Sequence, residues 1–375
     1  MSKIKIMHVA EAAGGVDRFL QMLFKNIDHK VFYTILVCSQ NYDTEEYKTI
    51  TDKVMQIDMA HDFSIERDVK SIKRIKMLIK ENDPDIVFAH SSKAGALLRA
   101  SNFKMDNISV YNPHGWAFNM NTSFFNKAIY SLAEKIGAYM SDYIVCISES
   151  EKDSAIKNNI CETNKIKVIF NGIDVDLKPS YLIRRKDLGF PENSVVIGMV
   201  GRLSKQKSPE IFIEMANLIK QKVKNAYFLL VGDGDLKNEI EKDIAKYNLS
   251  DCTKITGWVK QPEQYMRLFT VGVLLSKWEG FGLVLPEYMR AGVPIVATNV
   301  DAIPNILEDG KDSTLVNPND PEAAAEAVLR LIDNPSIADM YIDAGYMKVR
   351  NNFNIKRTAK EYESFWLKIY ENKKL

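Results

Sequence analysis

The chain reads as an α/β protein made of two doubly wound domains. Three observations carry that reading. Short apolar runs bounded by turn residues recur along the 375 residues, and stretches of helical period alternate with them. The pattern stops near residue 177 and starts again near residue 195. The special residues (Gly, His, Ser, Arg, Glu) collect where the apolar runs end. Strands of this kind, separated by helices, describe a parallel sheet covered on both faces. Ligands of such sheets sit at the carboxyl ends of the strands.

The elements follow in order. IKIMHVA (4–10) is a strand that leads through the Gly14-Gly15 bend into a helix from about Val16 to Ile27. VFYTILVCS (31–39) is the next strand, followed by a basic amphipathic helix over about 66–81. DIVFAH (85–90) and a helix from about Ala94 come next, then ISVYNPHG (108–115) and a helix near 124–140. YIVCIS (143–148) and KVIFNG (167–172) close the first half. The polar stretch 177–193, with Pro179 and Pro191, reads as a linker. The second half runs through VVIGMVG (195–201), a helix near 208–222, AYFLLVG (226–232), KITGWV (254–259) and VGVLLS (271–276). A helix from Pro286, the strand PIVAT (294–298) and helices after Pro321 complete it. The expected division is 1–178, 179–355, and a last helix over 356–375 that packs back on the first domain. The domains are expected to face each other across a cleft.

Composition excludes several classes. A formal charge of +1 gives no global attraction to nucleic acid or membrane. Cys38, Cys146, Cys161 and Cys252 form no CxxC pair and have no His at zinc spacing, so they read as buried thiols of a reducing compartment. No apolar stretch approaches the roughly 18 residues that span a bilayer, and the N-terminus is too short and too soon interrupted for a signal peptide. The expected location is the cytoplasm, free or peripheral on the inner face of the cell membrane.

The most informative stretch is SKWEGFGLVLPEYMRAGVP (276–294). Glu279 and Glu287 stand eight apart, with Gly280-Phe281-Gly282 and Pro286 between them. A strand, a glycine bend and a helix start hold an anion, because free backbone N–H groups point at it. A carboxylate on either side suits a diphosphate with hydroxyls at both ends, which is the layout of a nucleotide sugar. GRLSKQK (201–207) places Arg202 and Lys207 five apart after another strand. A departing diphosphate needs fixed positive charge of this kind. The plain alternative for that segment is a solvated basic loop.

GRLxxxK followed by ExxxxxxxE, with VGDG between and NGID before, resembles the retaining glycosyltransferases of family 4, which adopt the GT-B fold. The resemblance covers nearly the whole chain. It implies that Arg202 and Lys207 bind the donor diphosphate and that Glu279 contacts hydroxyls of the donor sugar. It further implies that Glu287 holds the ribose diol and that the amides of Gly282 and Leu283 meet the phosphates. AEAAGGVDRF (10–19) resembles the family's glycine-rich first loop, which brings in Gly15, against the alternative of a plain tight turn. Gly201, Gly232 and Phe281 fall in the same donor-binding segments. By resemblance His114, in NPHGWAF (112–118), lines the sugar pocket and joins Arg202, Lys207 and Glu279 as a catalytic candidate. A structural histidine is the alternative there. GWVKQPEQY (257–265) is the expected base-reading segment, with the backbone around Trp258 reading a pyrimidine edge.

HSSKAG (90–95) resembles the subset of the family that builds capsular or exopolysaccharide units on a lipid diphosphate, which assigns Ser91, Ser92 and Lys93 to the acceptor phosphate. Capping by Ser92 is the plain alternative. RDVKSIKRIKMLIK (67–80) has six basic residues against one acid. It is either a surface for anionic lipid, at about 1 kcal/mol per basic residue, or an ordinary crossover helix. In the helix near 124–140 the apolar residues at 125, 128, 132, 136 and 140 are expected in the core, with a membrane or acceptor contact by Phe124 and Phe125 as the alternative at its start. Asp174-Val175-Asp176 and Asp233-Gly234-Asp235 spell DxD, but each follows a turn that matches a GT-B element, so no metal or cofactor is expected. TNVDAIPNILEDG (298–310) departs from the family's Gly-Gly-Ile-Pro-Glu pattern, with Asp301, Ala302 and Asn305 in that region. The expectation is transfer of a hexose or N-acetylhexosamine from a UDP-sugar to a lipid-linked saccharide, without nucleic acid. The rivals are a sugar-nucleotide epimerase of related architecture and a non-catalytic nucleotide-sugar-binding subunit.

Overall fold

The computed structural model describes residues 3–374 except Ala13, His61 and Asn121. Two compact units are present: Met1–Asp174 together with Asn354–Leu375, and Val175–Phe353.

The first unit is built on β1 (Ile4–Ala10), β2 (Phe32–Cys38), β3 (Lys53–Gln56), β4 (Ile86–His90), β5 (Ile108–Asn112), β6 (Tyr143–Cys146) and β7 (Ile166–Val168). They form one parallel sheet in the order β3-β2-β1-β4-β5-β6-β7. The second unit repeats the plan with β8 (Val195–Val200), β9 (Ala226–Val231), β10 (Thr253–Ile255), β11 (Val271–Leu274), β12 (Ile295–Thr298) and β13 (Thr314–Val316), ordered β10-β9-β8-β11-β12-β13. Both units are doubly wound, and chain direction across each sheet reverses between its first and fourth strands in sequence. At such a switch point the connections leave on opposite sides, and a crevice opens at the carboxyl ends. In the first unit it lies between β1 and β4, in the second between β8 and β11.

Two strands and one helix carry no strong signal in the sequence. β3 is an edge strand with no buried residue, so it shows no apolar run. β13 has three residues, of which only Val316 is buried. The helix Lys237–Lys246 buries only Ile240 and Ile244. Another helix begins earlier than expected, at Val284, so that Pro286 lies inside its first turn, where a missing N–H is tolerated.

The segment 177–193 is not a free connector. It belongs to the second unit, contains a 3-10 turn at Arg185–Leu188, and is tied down where the Ile183 amide donates to the Gln264 carbonyl at 3.2 Å. At the other end the chain returns to the first unit with the helix Ile355–Lys374. Its Tyr362 and Trp366 are fully buried, and the Thr358 hydroxyl donates to the Phe170 carbonyl.

One helix is turned opposite to the expectation. In Phe124–Tyr139 the buried residues are Glu134, Gly137 and Ala138, while Phe125, Leu132 and Ile136 face solvent. The reason is a buried polar bond. The Arg99 guanidinium donates to Glu134 at 3.0 Å, and the Tyr111 hydroxyl donates to the other carboxylate oxygen at 2.8 Å. A Cβ on Gly137 would stand 1.6 Å from Arg99, so only glycine admits the guanidinium there. An unpaired buried charge costs several kcal/mol, which outweighs the face preference of a few apolar side chains.

Candidate active site

In the second unit the loops that leave β8 and β11 are bonded into one piece. The Lys277 amide donates to the Gln206 carbonyl at 2.8 Å, and the Gln206 side chain donates to the Trp278 carbonyl at 3.1 Å. Lys207 meets Glu279 at 2.5 Å, and the Ser276 hydroxyl donates to the same Glu279 oxygen at 3.0 Å. Lys207 and Glu279 are both largely buried. Two residues 72 apart in sequence thus form one ion pair at the switch point. Arg202 on the same loop is exposed and makes no side-chain hydrogen bond or ion pair among the described residues.

The glycines around this pair have spatial reasons. Gly232 passes so close to the β8 loop that a Cβ would lie 2.0 Å from the Gly201 carbonyl oxygen. This contact lets the Leu203 amide donate to the Asp233 carbonyl. The VGDG turn is therefore a brace for the Arg202–Lys207 loop. Gly282 has φ 83, left-handed backbone in which a side chain is strained. The helix Val284–Ala291 starts directly after it, and the amides of Gly282 and Leu283 lie ahead of its first internal bond, from Leu285. Glu287 is buried in the first turn of that helix.

Two contributors escape a reading of the sequence. The Tyr288 hydroxyl accepts from the Val200 amide at 2.9 Å and donates to the Val273 carbonyl at 3.4 Å. It holds β8 and β11 together where their ladder ends. Asp301, the residue at which the sequence leaves the family pattern, sits at φ 42 and accepts from the Glu279 amide at 2.9 Å. Its signal was the departure itself.

Two donor-binding candidates differ in how their side chains lie. Phe281 turns inward, its ring packed 5.8 Å from that of Phe353, so only its backbone is available to a ligand. Trp258 is 75% exposed, on a segment tied to Gly232 through the Gly257 bridge.

In the first unit the special residues again gather at the switch point. Gly15 is the first residue of the helix Gly15–Asn26, which starts beyond β1. The helix after β4 is capped by Ser91, not Ser92: the Ser91 side chain accepts from the Ala94 amide. The Ser92 hydroxyl instead lies 3.4 Å from the Tyr111 hydroxyl oxygen and donates to it, because the one Tyr111 proton goes to Glu134. Lys93 is engaged already, at 2.7 Å from Asp68 and 3.2 Å from the Asp62 carbonyl. His114 stands two residues beyond β5 with φ 50, its amide bonded to the Asn112 side chain. Its Nε2 lies 3.0 Å from His90 Nδ1, and His90 Nε2 lies 3.0 Å from His8 Nδ1. Burial pushes His8 and His114 down to about 3, and holds His90 well below its ordinary value with help from its two neighbours.

Glu151 supports the His114 turn from behind. Its carboxylate accepts from the Ile147 amide at 2.8 Å and from the Gly115 backbone, and its carbonyl accepts from the Trp116 indole. Burial raises Glu151 to about 8, against these amide bonds, which lower it.

Comparison with known proteins agrees with both units. Residues 13–177 match the family model "Glycosyltransferase Family 4", and residues 182–348 match "Glycosyl transferases group 1". The chain is 28% identical to the Escherichia coli UDP-Gal:alpha-D-GlcNAc-diphosphoundecaprenol alpha-1,3-galactosyltransferase, over 99% of each chain. It is 30% identical to the "uncharacterized 41.2 kDa protein in cps region" of Klebsiella pneumoniae, over 89% of this chain and 90% of that one. Among solved structures, Anabaena HepE in complex with UDP superposes with a TM-score of 0.81 at 18% identity, covering 97% of this chain and 100% of the other.

Proposed function

The chain belongs to the family 4 glycosyltransferases of GT-B fold, and from that premise we propose that it moves a hexose or N-acetylhexosamine from UDP to a lipid-linked saccharide, with retention at the anomeric carbon. The observation that carries this reading is the Lys207–Glu279 pair at the β8/β11 switch point, flanked by Arg202 and by the amides of Gly282 and Leu283.

Lys207 and Glu279 hold each other in place. With donor bound, Lys207 and Arg202 take the diphosphate oxygens, Glu279 accepts from sugar hydroxyls, and Glu287 accepts from the ribose diol. The bond between the anomeric carbon and the phosphate oxygen breaks, and the fixed cations stabilise the charge that collects on the leaving group. The acceptor hydroxyl attacks from the same face and gives its proton to the leaving phosphate oxygen. Asp301 orients Glu279 through its amide, and Tyr288 keeps the strand ends in register. An acceptor diphosphate would draw Lys93 away from Asp68, with Ser91 and Ser92 beside it.

The lipid-linked acceptor is supported by the likeness to the E. coli transferase, which acts on a GlcNAc-diphosphoundecaprenol. A membrane contact follows from it, and the faces that suit one are the basic helix Ile65–Asn82 and the apolar side of Phe124–Tyr139. Both pack against the helix Ser92–Asn102. Among the described residues no helix is long and apolar enough to cross a membrane.

The test has two parts. Thermal melts across UDP, GDP, ADP and their sugars should show stabilisation by the true donor, since a ligand at a hundred times its Kd adds about 2.7 kcal/mol. Transfer from that donor to a lipid-diphosphate saccharide, with NMR of the product anomer, should show retention. Epimerised nucleotide sugar from donor alone, or an inverted product, would overturn the reading.

A further inference from the structure

The three linked histidines cross the switch point of the first unit. His8 lies in β1, His90 ends β4, and His114 follows β5; these strands are neighbours in the sheet. The line runs from a fully buried ring, His8, to a partly open one, His114.

A neutral imidazole carries one N–H and one lone pair. His90 contacts a histidine through each nitrogen, so it donates to one and accepts from the other. The three rings therefore share one direction. Either every proton points outward, leaving His114 with Nδ1–H, or every proton points inward, leaving His8 with Nε2–H. The inner end decides between them. His8 Nε2 is buried without a partner, and so is Trp366 Nε1, whose ring packs edge-on against His8 with centroids 5.7 Å apart. Trp366 is a donor only. The inward arrangement would put a second unsatisfied N–H in the same ring cluster as the orphaned indole donor, whereas the outward one puts a lone pair there. Like N–H dipoles repel where an N–H and a lone pair attract, and in a buried cluster that difference sets the direction of the whole row.

We propose that His8 and His90 are positioning residues that lock His114 as its Nδ1–H tautomer, so that this strand end is a hydrogen-bond donor to a sugar oxygen and not a base. The inference rests on the reading that His114 meets sugar. A neutral N–H donor does not stabilise positive charge at an anomeric carbon, so the role of His114 is to hold the sugar.

The tautomer is measurable without substrate, by two-bond proton–nitrogen NMR on protein labelled in histidine, with His114→Asn assigning the signals. The expected result is a protonated Nδ1 and an accepting Nε2 on His114. In His8→Phe the row loses its inner end, and the His114 tautomers should become mixed although the substitution lies two hydrogen bonds away. A purely structural His8 would leave the tautomer unchanged. Wild-type His114 protonated at Nε2 or doubly protonated near neutral pH, or an unchanged tautomer in a folded His8→Phe, would overturn the proposal. If that variant does not fold, the wild-type spectrum still decides. Failure of sugar transfer would count against the proposed function alone, because the NMR result is obtained in the free protein.

Discussion

Lys207 and Arg202 carry the same charge in the same loop, but their surroundings predict different outcomes on substitution. Lys207→Ala leaves Glu279 buried with only the Ser276 hydroxyl as side-chain partner of its carboxylate among the described residues, so it should lower stability by about 3 kcal/mol as well as turnover. Arg202→Ala removes an exposed group and should leave the unfolding free energy within about 0.5 kcal/mol. Its turnover should still fall about a hundredfold or more if it faces the leaving diphosphate. Denaturation curves and initial rates on both variants check the split. The pattern GRLSKQK made both cations legible as candidates. The pairing of Lys207 with Glu279 was not legible, because it depends on the two loops meeting beyond strands that are adjacent only in the sheet.

The buried titratable groups make a second residue-scale prediction, for stability against pH. The three linked histidines ionise below their ordinary value of 6.5 in the folded chain. Between pH 6.5 and about 3 the unfolded chain binds more protons, so the stability they contribute is complete above 6.5 and is lost on acidification. Glu151 has the opposite sign. Raised from 4.5 to about 8, it binds more protons in the folded chain, so its contribution is complete below 4.5 and is lost as pH rises toward 8. Urea melts over this range should show His8→Phe flattening the acid limb and Glu151→Gln flattening the alkaline one.

At the scale of elements, the helix Phe124–Tyr139 shows how a period can be right and its face wrong. The apolar stripe marks an amphipathic helix, but the spacing does not say which side is inside. Arg99, Glu134 and Tyr111 settle it, since their bonded cluster can form only with Glu134 buried. The result is an exposed apolar row in which Phe124 is 88%, Leu132 59% and Tyr139 89% accessible. Glu134 is the helix's one acid, and it is buried. A surface without exposed acids, in the same layer as the basic helix Ile65–Asn82, suits anionic lipid. Leu132→Asp with Ile136→Asp should abolish sedimentation with phosphatidylglycerol vesicles while leaving the melting temperature nearly unchanged. Undiminished sedimentation would remove the face from the membrane role. The basic helix itself packs Ile75, Leu78 and Ile79 inward, as a crossover helix does, with its lysines outside.

For the whole molecule, the last helix decides the integrity of the first unit. Trp366 is fully buried against His8, Phe32 and Tyr362. Losing one such aromatic costs about 3–5 kcal/mol, and the helix supplies Tyr362 and Phe365 as well. Truncation after Phe353 should therefore unfold the first unit and leave the second folded, which hydrogen exchange resolved by segment would report. Uniform protection across both units in the truncated chain would refute it.

The sequence by itself determined the two doubly wound units, the positions of most strands, and the clustering of Gly, His, Arg and Glu at strand ends. Those properties are local: apolar runs and turn residues are read a few positions at a time, and the strand-end rule does the rest. Tertiary structure alone decided which of those residues meet. The Lys207–Glu279 pair, the Tyr288 clamp, the engagement of Lys93 with Asp68 and the histidine row all join residues from separate elements. So does the exposed face of Phe124–Tyr139, because a buried charge must find its partner before an apolar stripe can choose a side.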